Sequence, residues 1–374
     1  MKLMKIHVLL VATGLLAGCS TTNTATTTSA PTSTIRSYNG TASVGDFLTI
    51  TIDPTAKTIT YDNLTNGETG TATYTVNTNG SYTVTDPQGN LLSAYEVPGS
   101  MMVVEAANAG PNRDSNALIT AVENAPISIS TVAGKSYNYM QFRTKDGGVE
   151  IGTVSIDALG GISPNSYDPG SMMWSGGTVF NSSQFPASSI TEAANGDYFT
   201  IHEQDGSADV VFGTVGGLWA VDTANGAIIG LQKAATKDFN PANAGTYNAV
   251  YYRKKNAQTQ NNVETGTVIQ GLATITIDTA GNITVVDDTG NTLASGQLVP
   301  VADQTWLYDH TANTLSDPCY GLFVIRTVTA TSHQEVFVAF QGNAVLYESF
   351  KTSLPVPSDG SGTYNYSYGV GTLQ

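Results

Sequence analysis

Residues 72–93 read ATYTVNTNGSYTVTDPQGNLLS, in which threonine alternates with tyrosine or valine and turn sequences interrupt the alternation. A period of two, rich in β-branched and aromatic residues, is typical of strands. The pattern recurs at residues 47–52 (FLTITI) and 335–340 (EVFVAF), and no window of twelve residues beyond the first nineteen carries a convincing helical stripe. The chain is therefore predicted to be all-β, built from antiparallel β-sandwich or small β-barrel units.

The chain also repeats itself. Residues 273–294 align with residues 72–93 without a gap, and eleven of the 22 positions are identical. A shorter third copy lies at residues 152–163. A Tyr-Asn pair opens each copy, at spacings of 99 and 110 residues. These pairs are Tyr38-Asn39, Tyr137-Asn138 and Tyr247-Asn248. The order shared by these matches predicts about three related repeats in tandem.

The repeat spacing divides the body of the chain into units at residues 36–132, 133–243 and 244–374. A leftover strand from Tyr364 to Gly371 is expected to pair with the last unit, with the first unit as the alternative. A propeller is the rival architecture, because residues 218–226 (LWAVDTANG) are similar to one blade hairpin of quinoprotein propellers. The blade period of ~40–50 residues does not recur, so the propeller is not adopted.

The first nineteen residues have the order of a targeting segment: basic, then apolar, then small. Lys2 and Lys5 precede an apolar run over residues 6–16, which is shorter than the ~20 residues that a membrane-spanning helix needs. The run ends in Leu16-Ala17-Gly18-Cys19. This tetrapeptide resembles the lipobox of bacterial lipoproteins; an ordinary secretory peptide is the alternative.

The resemblance implies that residues 1–18 are a signal peptide and that Cys19 carries the acyl chains of a membrane anchor. Several acyl chains hold a protein stably where one does not. Ser20, by resemblance to proteobacterial lipoproteins, favours the outer membrane of the bacterial cell envelope, with the periplasmic or surface face left open. Residues 19–35 are rich in Thr and Ser and uncharged, which predicts a flexible tether with a reach of about 50 Å.

Composition excludes some partners. The 374 residues include 15 Lys and Arg against 30 Asp and Glu, which gives a net charge of −15. Nucleic acid is excluded as a partner, because that affinity comes from basic side chains on phosphates. A hydrophobic fraction of 40% supplies enough apolar residues for a core. The membrane, through the lipid anchor, and a protein or glycan of unknown identity are the expected partners.

No catalytic motif is found, and no cofactor or metal site is predicted. Four Asp-x-x-Gly sequences, which begin at Asp86, Asp157, Asp278 and Asp287 among others in the chain, lack the spacing of a calcium loop and are interpreted as hairpin turns. The histidines at positions 202, 310 and 333 lie outside any HExxH motif, and no Gly-x-Ser-x-Gly sequence exists. Cys319, without a partner once Cys19 is lipidated, is expected to be a small buried residue.

Rows of tyrosines that share a strand face are the candidate ligand-facing residues. They are Tyr137 with Tyr139, Tyr247 with Tyr251, and Tyr364 with Tyr366 and Tyr368. Exposed, such rows stack on sugar rings; buried, they are cross-strand packing. The chain is therefore interpreted as a lipoprotein acting as a non-catalytic binding or structural module. The alternative is a carbohydrate-binding or carbohydrate-processing surface lipoprotein.

Overall fold

The computed structural model describes residues 34–109, 115–144, 149–157, 162–168, 173–176, 190–202, 206–214, 217–260, 263–303, 319–353 and 364–374. These residues form three antiparallel sheets. Helix within them is confined to the four residues of α1 (Ile129–Val132) and to 3₁₀ turns at Pro241–Asn243 and Val301–Asp303. In this part of the chain, no helix has the length and apolar character to cross a membrane.

The first sheet is a closed barrel of eight strands. They are β1 (Arg36–Ala42), β2 (Asp46–Asp53), β3 (Thr58–Asn63), β4 (Glu68–Val76), β5 (Tyr82–Thr85), β6 (Leu91–Val97), β7 (Met101–Ala109) and β8 (Ser115–Glu123). Each strand pairs with the next, and β1 also pairs with β8, with Tyr38 opposite Glu123 and Ala42 opposite Ile119. Closure leaves this sheet without an exposed edge.

The second sheet has nine strands and one seam. They are β9 (Ser136–Phe142), β10 (Val149–Ile156), β11 (Ile162–Asp168), β12 (Met173–Gly176), β13 (Ile190–Glu192), β14 (Tyr198–His202), β15 (Ala208–Gly213), β16 (Leu218–Thr223) and β17 (Gly226–Gln232). The first strand again pairs with the last, with Met140 opposite Ile229, and the seam lies between β12 and β13. The sheet therefore forms a second, nearly closed barrel.

The third sheet repeats this arrangement. Its strands are β18 (Gly245–Gln260), β19 (Val263–Ile277), β20 (Asn282–Asp287), β21 (Thr292–Gln297), β22 (Val299–Pro300), β23 (Leu322–Val328), β24 (Ser332–Gln341), β25 (Ala344–Ser353) and β26 (Tyr364–Leu373). Its seam lies between β21 and β22. The C-terminal strand pairs with β18 and β25, which confirms the expected docking on the last unit.

The predicted all-β class is confirmed, and the units are barrels rather than sandwiches. Each sheet falls within one of the three stretches that the repeat spacing marks out. Residues 218–226, the propeller-like sequence, form the β16–β17 hairpin in the wall of the second barrel. The structure thus resolves the choice of architecture in favour of tandem barrels.

The Asp-x-x-Gly sequences that the structure describes in full are hairpin turns, as predicted. In the first, Oδ1 of Asp86 accepts hydrogen bonds from the backbone amides of Gln88 and Asn90, and Gly89 has a φ of +86°. The turns at Asp278 and Asp287 repeat these bonds. An aspartate that satisfies turn amides and a glycine that supplies positive φ explain the motif without a cation.

Strands that face a neighbouring barrel are apolar on both faces, for different reasons. One face points into the barrel interior, as Ile50 and Tyr74 do in the first and Tyr247 and Val338 do in the third. The other face packs the barrels against one another in a shared core. In that core the rings of Phe142 and Tyr368 stack with centroids 4.2 Å apart, and Phe47 meets Tyr198 edge-on at 5.0 Å. Residues 33–374 therefore form one compact unit.

The asparagines of the three Tyr-Asn pairs link the barrels in a cycle. Nδ2 of Asn39 donates to the carbonyl oxygen of Asp197, which precedes β14. Nδ2 of Asn138 donates to the carbonyl of Tyr320, which precedes β23, and Nδ2 of Asn248 donates to the carbonyl of Asn79, which precedes β5. Each acceptor leads into the fourth strand from the end of its barrel.

This cycle gives the repeated Tyr-Asn sequence its physical role. The tyrosines of the pairs, Tyr38, Tyr137 and Tyr247, point into their own barrels, where they are at most 3% exposed. The asparagine next in sequence points to the opposite face of the strand, toward a neighbouring barrel. One dipeptide thus serves both the interior of a barrel and its contact with the next.

Candidate ligand-binding site

The tyrosine rows are buried. Tyr137 and Tyr139 lie inside the second barrel, and Tyr247 and Tyr251 lie inside the third. Tyr366 and Tyr368 lie in the core shared by the barrels. All six are at most 6% exposed, while the side chain of Tyr364 and the anchor residue Cys19 lie outside the described parts of the chain. Burial favours the packing alternative and leaves the sugar hypothesis without an exposed aromatic row among the described residues.

The other sequence candidates are also structural. Cys319 is a fully buried thiol in the shared core, as expected. His202 lies on β14 and contacts the hydroxyl of Thr191 at 3.2 Å, whereas His310 lies outside the described residues. Among the residues that the structure describes, no group of three or more histidine, cysteine or carboxylate side chains is placed to hold a metal ion.

A buried polar group that the sequence analysis missed joins the second and third barrels. Oε2 of Glu335 accepts a hydrogen bond of 2.7 Å from the hydroxyl of Tyr167. Its Oε1 lies 3.1 Å from Nε2 of His333 and 3.6 Å from Nε of Arg326. His333 and Glu335 are two apart on one strand and so share a face. Both are at most 1% exposed, whereas the side chain of Arg326 is 32% exposed, and the buried hydrogen bond from Tyr167 to Glu335 links the two barrels.

A cavity of about 310 Å³ occupies the first barrel. Its wall is mainly aliphatic, with contributions from Leu48, Ile50, Ile59, Val84 and Val104. Strand alternation places these residues on the inward face, together with the rest of the barrel core. Eight-stranded barrels have an interior that side chains fill or that is wide enough for one small ligand, and this barrel keeps an unfilled space.

Part of this space is explained by the repeat, because Ala42, which lines the cavity, corresponds to Tyr251 in the interior of the third barrel. Counted from the Tyr-Asn pairs, Gly40 corresponds to Tyr139, and Ala42 corresponds to Tyr251. The ring of Tyr139 lies so close over Gly152 that a Cβ there would be 2.5 Å from it. Two further alanines, at positions 72 and 106, line the cavity of the first barrel. All three copies of the repeat form barrels, and the first barrel contains an unfilled cavity.

One end of this barrel is closed by a buried ion pair. The guanidinium of Arg36 donates to both carboxylate oxygens of Glu96 at 2.6 Å. The hydroxyls of Tyr38 and Tyr82 donate to the same carboxylate at 2.6 and 2.5 Å. The ring of Tyr82 stacks on Tyr74 with centroids 4.7 Å apart. Four hydrogen bonds to one carboxylate and a layer of aromatic rings thus form the floor of the barrel.

The opposite end carries polar side chains. The β3–β4 turn contributes Asn63, Asn66 and Glu68, and the β5–β6 turn contributes Asp86 and Gln88. The cavity is therefore apolar along its length and polar at its mouth, which is the usual arrangement of a site for a small ligand.

Two buried carboxyl groups lie on the strands around the cavity, Asp46 on the inward face and Glu105 on the outward face, opposite Leu118 of the shared core. Glu105 accepts a hydrogen bond of 2.8 Å from the backbone amide of Ser93, and burial raises the pKa of Glu105 in spite of that bond. Asp46, on β2, is 6% exposed and lies on the inward face with Leu48 and Ile50. The chain is thus an all-β protein of three joined barrels, the first of which contains the cavity.

Comparison with known proteins adds little to this description. No protein-family model matches the chain, and no curated protein matches it. A variant of the vaccine antigen transferrin binding protein B from Haemophilus parasuis is 9% identical with a TM-score of 0.22, over 92% of this chain and 77% of that one. The structure of intact Ap-TbpB, with its N and C lobes, is 9% identical with a TM-score of 0.21, over 92% of this chain and 78% of that one.

A protein of unknown function from Nostoc punctiforme is also 9% identical, with a TM-score of 0.23 over 67% of this chain and 100% of that one. TM-scores this low establish neither a shared family nor a shared function with any of these structures.

Proposed function

We propose that the chain is a lipid-anchored lipoprotein of the bacterial cell envelope that acts as a non-catalytic binding module, with the first barrel as its ligand-binding part. The observation that carries the proposal is the cavity in that barrel. The Arg36–Glu96 ion pair closes one end of the cavity, and polar side chains surround the other end. The second and third barrels, whose interiors hold aromatic rings, supply the rigid support against which the first barrel packs.

The size of the cavity defines the class of ligand. An apolar cavity of ~150 Å³ in another protein holds benzene, so a cavity of about 310 Å³ accommodates a molecule of roughly twice that size. A straight chain of about eight to ten carbon atoms fits this volume with its head group at the mouth. Burial of such a chain contributes about 0.8 kcal/mol per CH₂ group.

Filling the cavity tests the proposal. Replacing Ala72 with leucine adds three carbon atoms to the inward face of β4, opposite Ile59. We expect this variant to bind octanol about tenfold more weakly than the wild type, because the added side chain occupies ligand volume. Isothermal titration calorimetry measures the affinity.

The matched control is Thr73→Leu, which places the same side chain on the exposed face of the same strand and should leave octanol affinity unchanged. If octanol fails to bind the wild type, or binds Ala72→Leu equally well, the cavity is not the binding site.

A substitution at Cys19 tests the proposed lipid anchor. Cys19→Ser removes the thiol that the lipobox assigns to acylation, so we expect the protein to move from the membrane fraction to the soluble fraction. Fractionation and mass spectrometry of the N-terminal peptide measure this, with Ser20→Ala as the control that retains the thiol. Unchanged membrane association of the Cys19→Ser protein would contradict the proposed anchor.

A further inference from the structure

We propose that the ligand of the first barrel is a cationic amphiphile, an alkyl chain that ends in an ammonium group, and that Asp46 binds the ammonium. This inference rests on the proposed function, because it assigns the head-group chemistry of the same cavity. Three features of the first barrel support it: the distribution of charge along its axis, the unpartnered carboxylate of Asp46, and the apolar wall between them.

In the described part of the first barrel, the acidic side chains that line the cavity and the basic side chains lie toward opposite ends of the axis. Among the described residues, those that line the cavity include Asp46, Glu68 and Asp86, which carry negative charge, and no lysine or arginine. In the described part of the barrel the cations are Arg36, which the floor carboxylate binds, and Lys57, in the β2–β3 turn. That turn lies at the floor end, because Thr58 pairs with Asp53, next to the pairing partner of Arg36.

Asp46 is the carboxylate to which we assign the ammonium group of the ligand. Asp46 is 6% exposed as a residue, and its carboxylate makes no hydrogen bond or ion pair with the described residues. An unpaired buried carboxylate is costly, and a cation that enters the cavity would offset that cost. The next residue, Phe47, points outward into the shared core and fixes the orientation of the strand.

The same charges discriminate between amphiphiles of equal length. An alkylammonium group meets carboxylates at the mouth and forms a charge-assisted hydrogen bond with Asp46. A fatty acid places a like charge among them and is disfavoured. A primary alcohol of the same length makes the same contacts with the apolar wall but carries no charge. Its affinity therefore measures the contribution of the alkyl chain alone.

Three ligands of one chain length test the inference with the full-length protein: octylammonium, octanol and octanoate. We expect octylammonium to bind about tenfold or more tightly than octanol, and octanoate to bind more weakly than octanol. Asp46→Asn should reduce octylammonium to the affinity of octanol and leave octanol unchanged. The control is Asp62→Asn, which removes the same charge from the outward face of β3 and should preserve the preference.

The outcomes separate the two levels of the proposal. If neither octanol nor octylammonium binds, the proposed function fails. If octanol binds but octylammonium gains nothing, or octanoate binds as tightly as octylammonium, the cationic assignment alone is wrong. These comparisons use the wild-type chain, so they decide the matter even if Asp46→Asn does not fold. A preference for octylammonium that survives in folded Asp46→Asn would overturn the role of Asp46.

Discussion

Replacing Glu96 with glutamine is expected to lower the free energy of unfolding by about 3–5 kcal/mol, because it leaves a buried guanidinium without its counter-charge. Glu96 is fully buried, and the side chain of Arg36 is 6% exposed. The carboxylate of Glu96 raises the pKa of Arg36 in the wild type, and without it the guanidinium still stays charged because arginine does not deprotonate in proteins. Urea unfolding followed by circular dichroism measures the change.

The tyrosines add to this effect. Burial, together with the Glu96 carboxylate, raises the pKa of Tyr38 and of Tyr82, so both phenols stay protonated and donate to it. Glutamine offers one acceptor oxygen where the carboxylate offers two. At least one of the four donors on Glu96 therefore loses its acceptor in the variant.

A rescue distinguishes this mechanism from a general packing defect. The double change Arg36→Met with Glu96→Leu removes both charges together, and we expect it to be more stable than Glu96→Gln, since an apolar pair of similar volume can replace a buried ion pair. Glu192→Gln, on the exposed strand β13, is the matched control and should change stability by less than about 0.5 kcal/mol. A Glu96→Gln protein within 1 kcal/mol of the wild type would refute the argument.

Local pattern accounts for much of the fold. The alternation in residues 72–93 predicts strands where β4 and β5 occur, and Asp86 to Gly89 predicts the turn that follows. These features depend on neighbours in sequence, whose spacing is visible in the chain. The repeated Tyr-Asn pairs predict three related units, because each pair marks the first strand of a barrel.

The contacts between barrels could not be predicted in this way. Phe47 and Phe142 point outward from their strands, where alternation alone expects polar residues, because this face is covered by the neighbouring barrels. The asparagines of the Tyr-Asn pairs were visible as a repeat, but their acceptors lie 158 to 182 residues away. Periodicity identifies two faces of a strand and does not identify what covers the second one.

The cavity was missed for a related reason. Ala42, Ala72 and Ala106 are far apart in sequence, and their small size matters only after closure brings them around one space. A signal was nevertheless present, since Gly40 and Ala42 replace residues that are tyrosines in one of the other copies. The tyrosine rows were instead named from the sequence as possible ligand-facing residues, with cross-strand packing as the other interpretation, and these side chains lie inside the other two barrels and in the shared core.

Glu348 is a buried carboxyl group that destabilises the folded state. Replacing it with an apolar residue is expected to raise the free energy of unfolding by about 1–4 kcal/mol. It lies on β25 between Leu346 and Phe350, which belong to the shared core. It is 0% exposed, and neither carboxyl oxygen has a hydrogen-bond partner among the described residues. Burial raises the pKa of Glu348 well above its ordinary value; Glu150 raises it further, and Arg143 opposes the shift.

Glu348→Met should therefore raise the free energy of unfolding, and its advantage should grow with pH. The folded wild type keeps the proton, whereas the unfolded chain loses it above pH ~4.3, so wild-type stability falls as pH rises toward the folded pKa. Glu348→Gln separates the two contributions: it removes this pH dependence but keeps an unsatisfied polar group. Urea unfolding at pH 5 and pH 8 measures both variants. If Glu348→Met is less stable than the wild type at both values, the carboxyl group has a partner that its surroundings do not reveal.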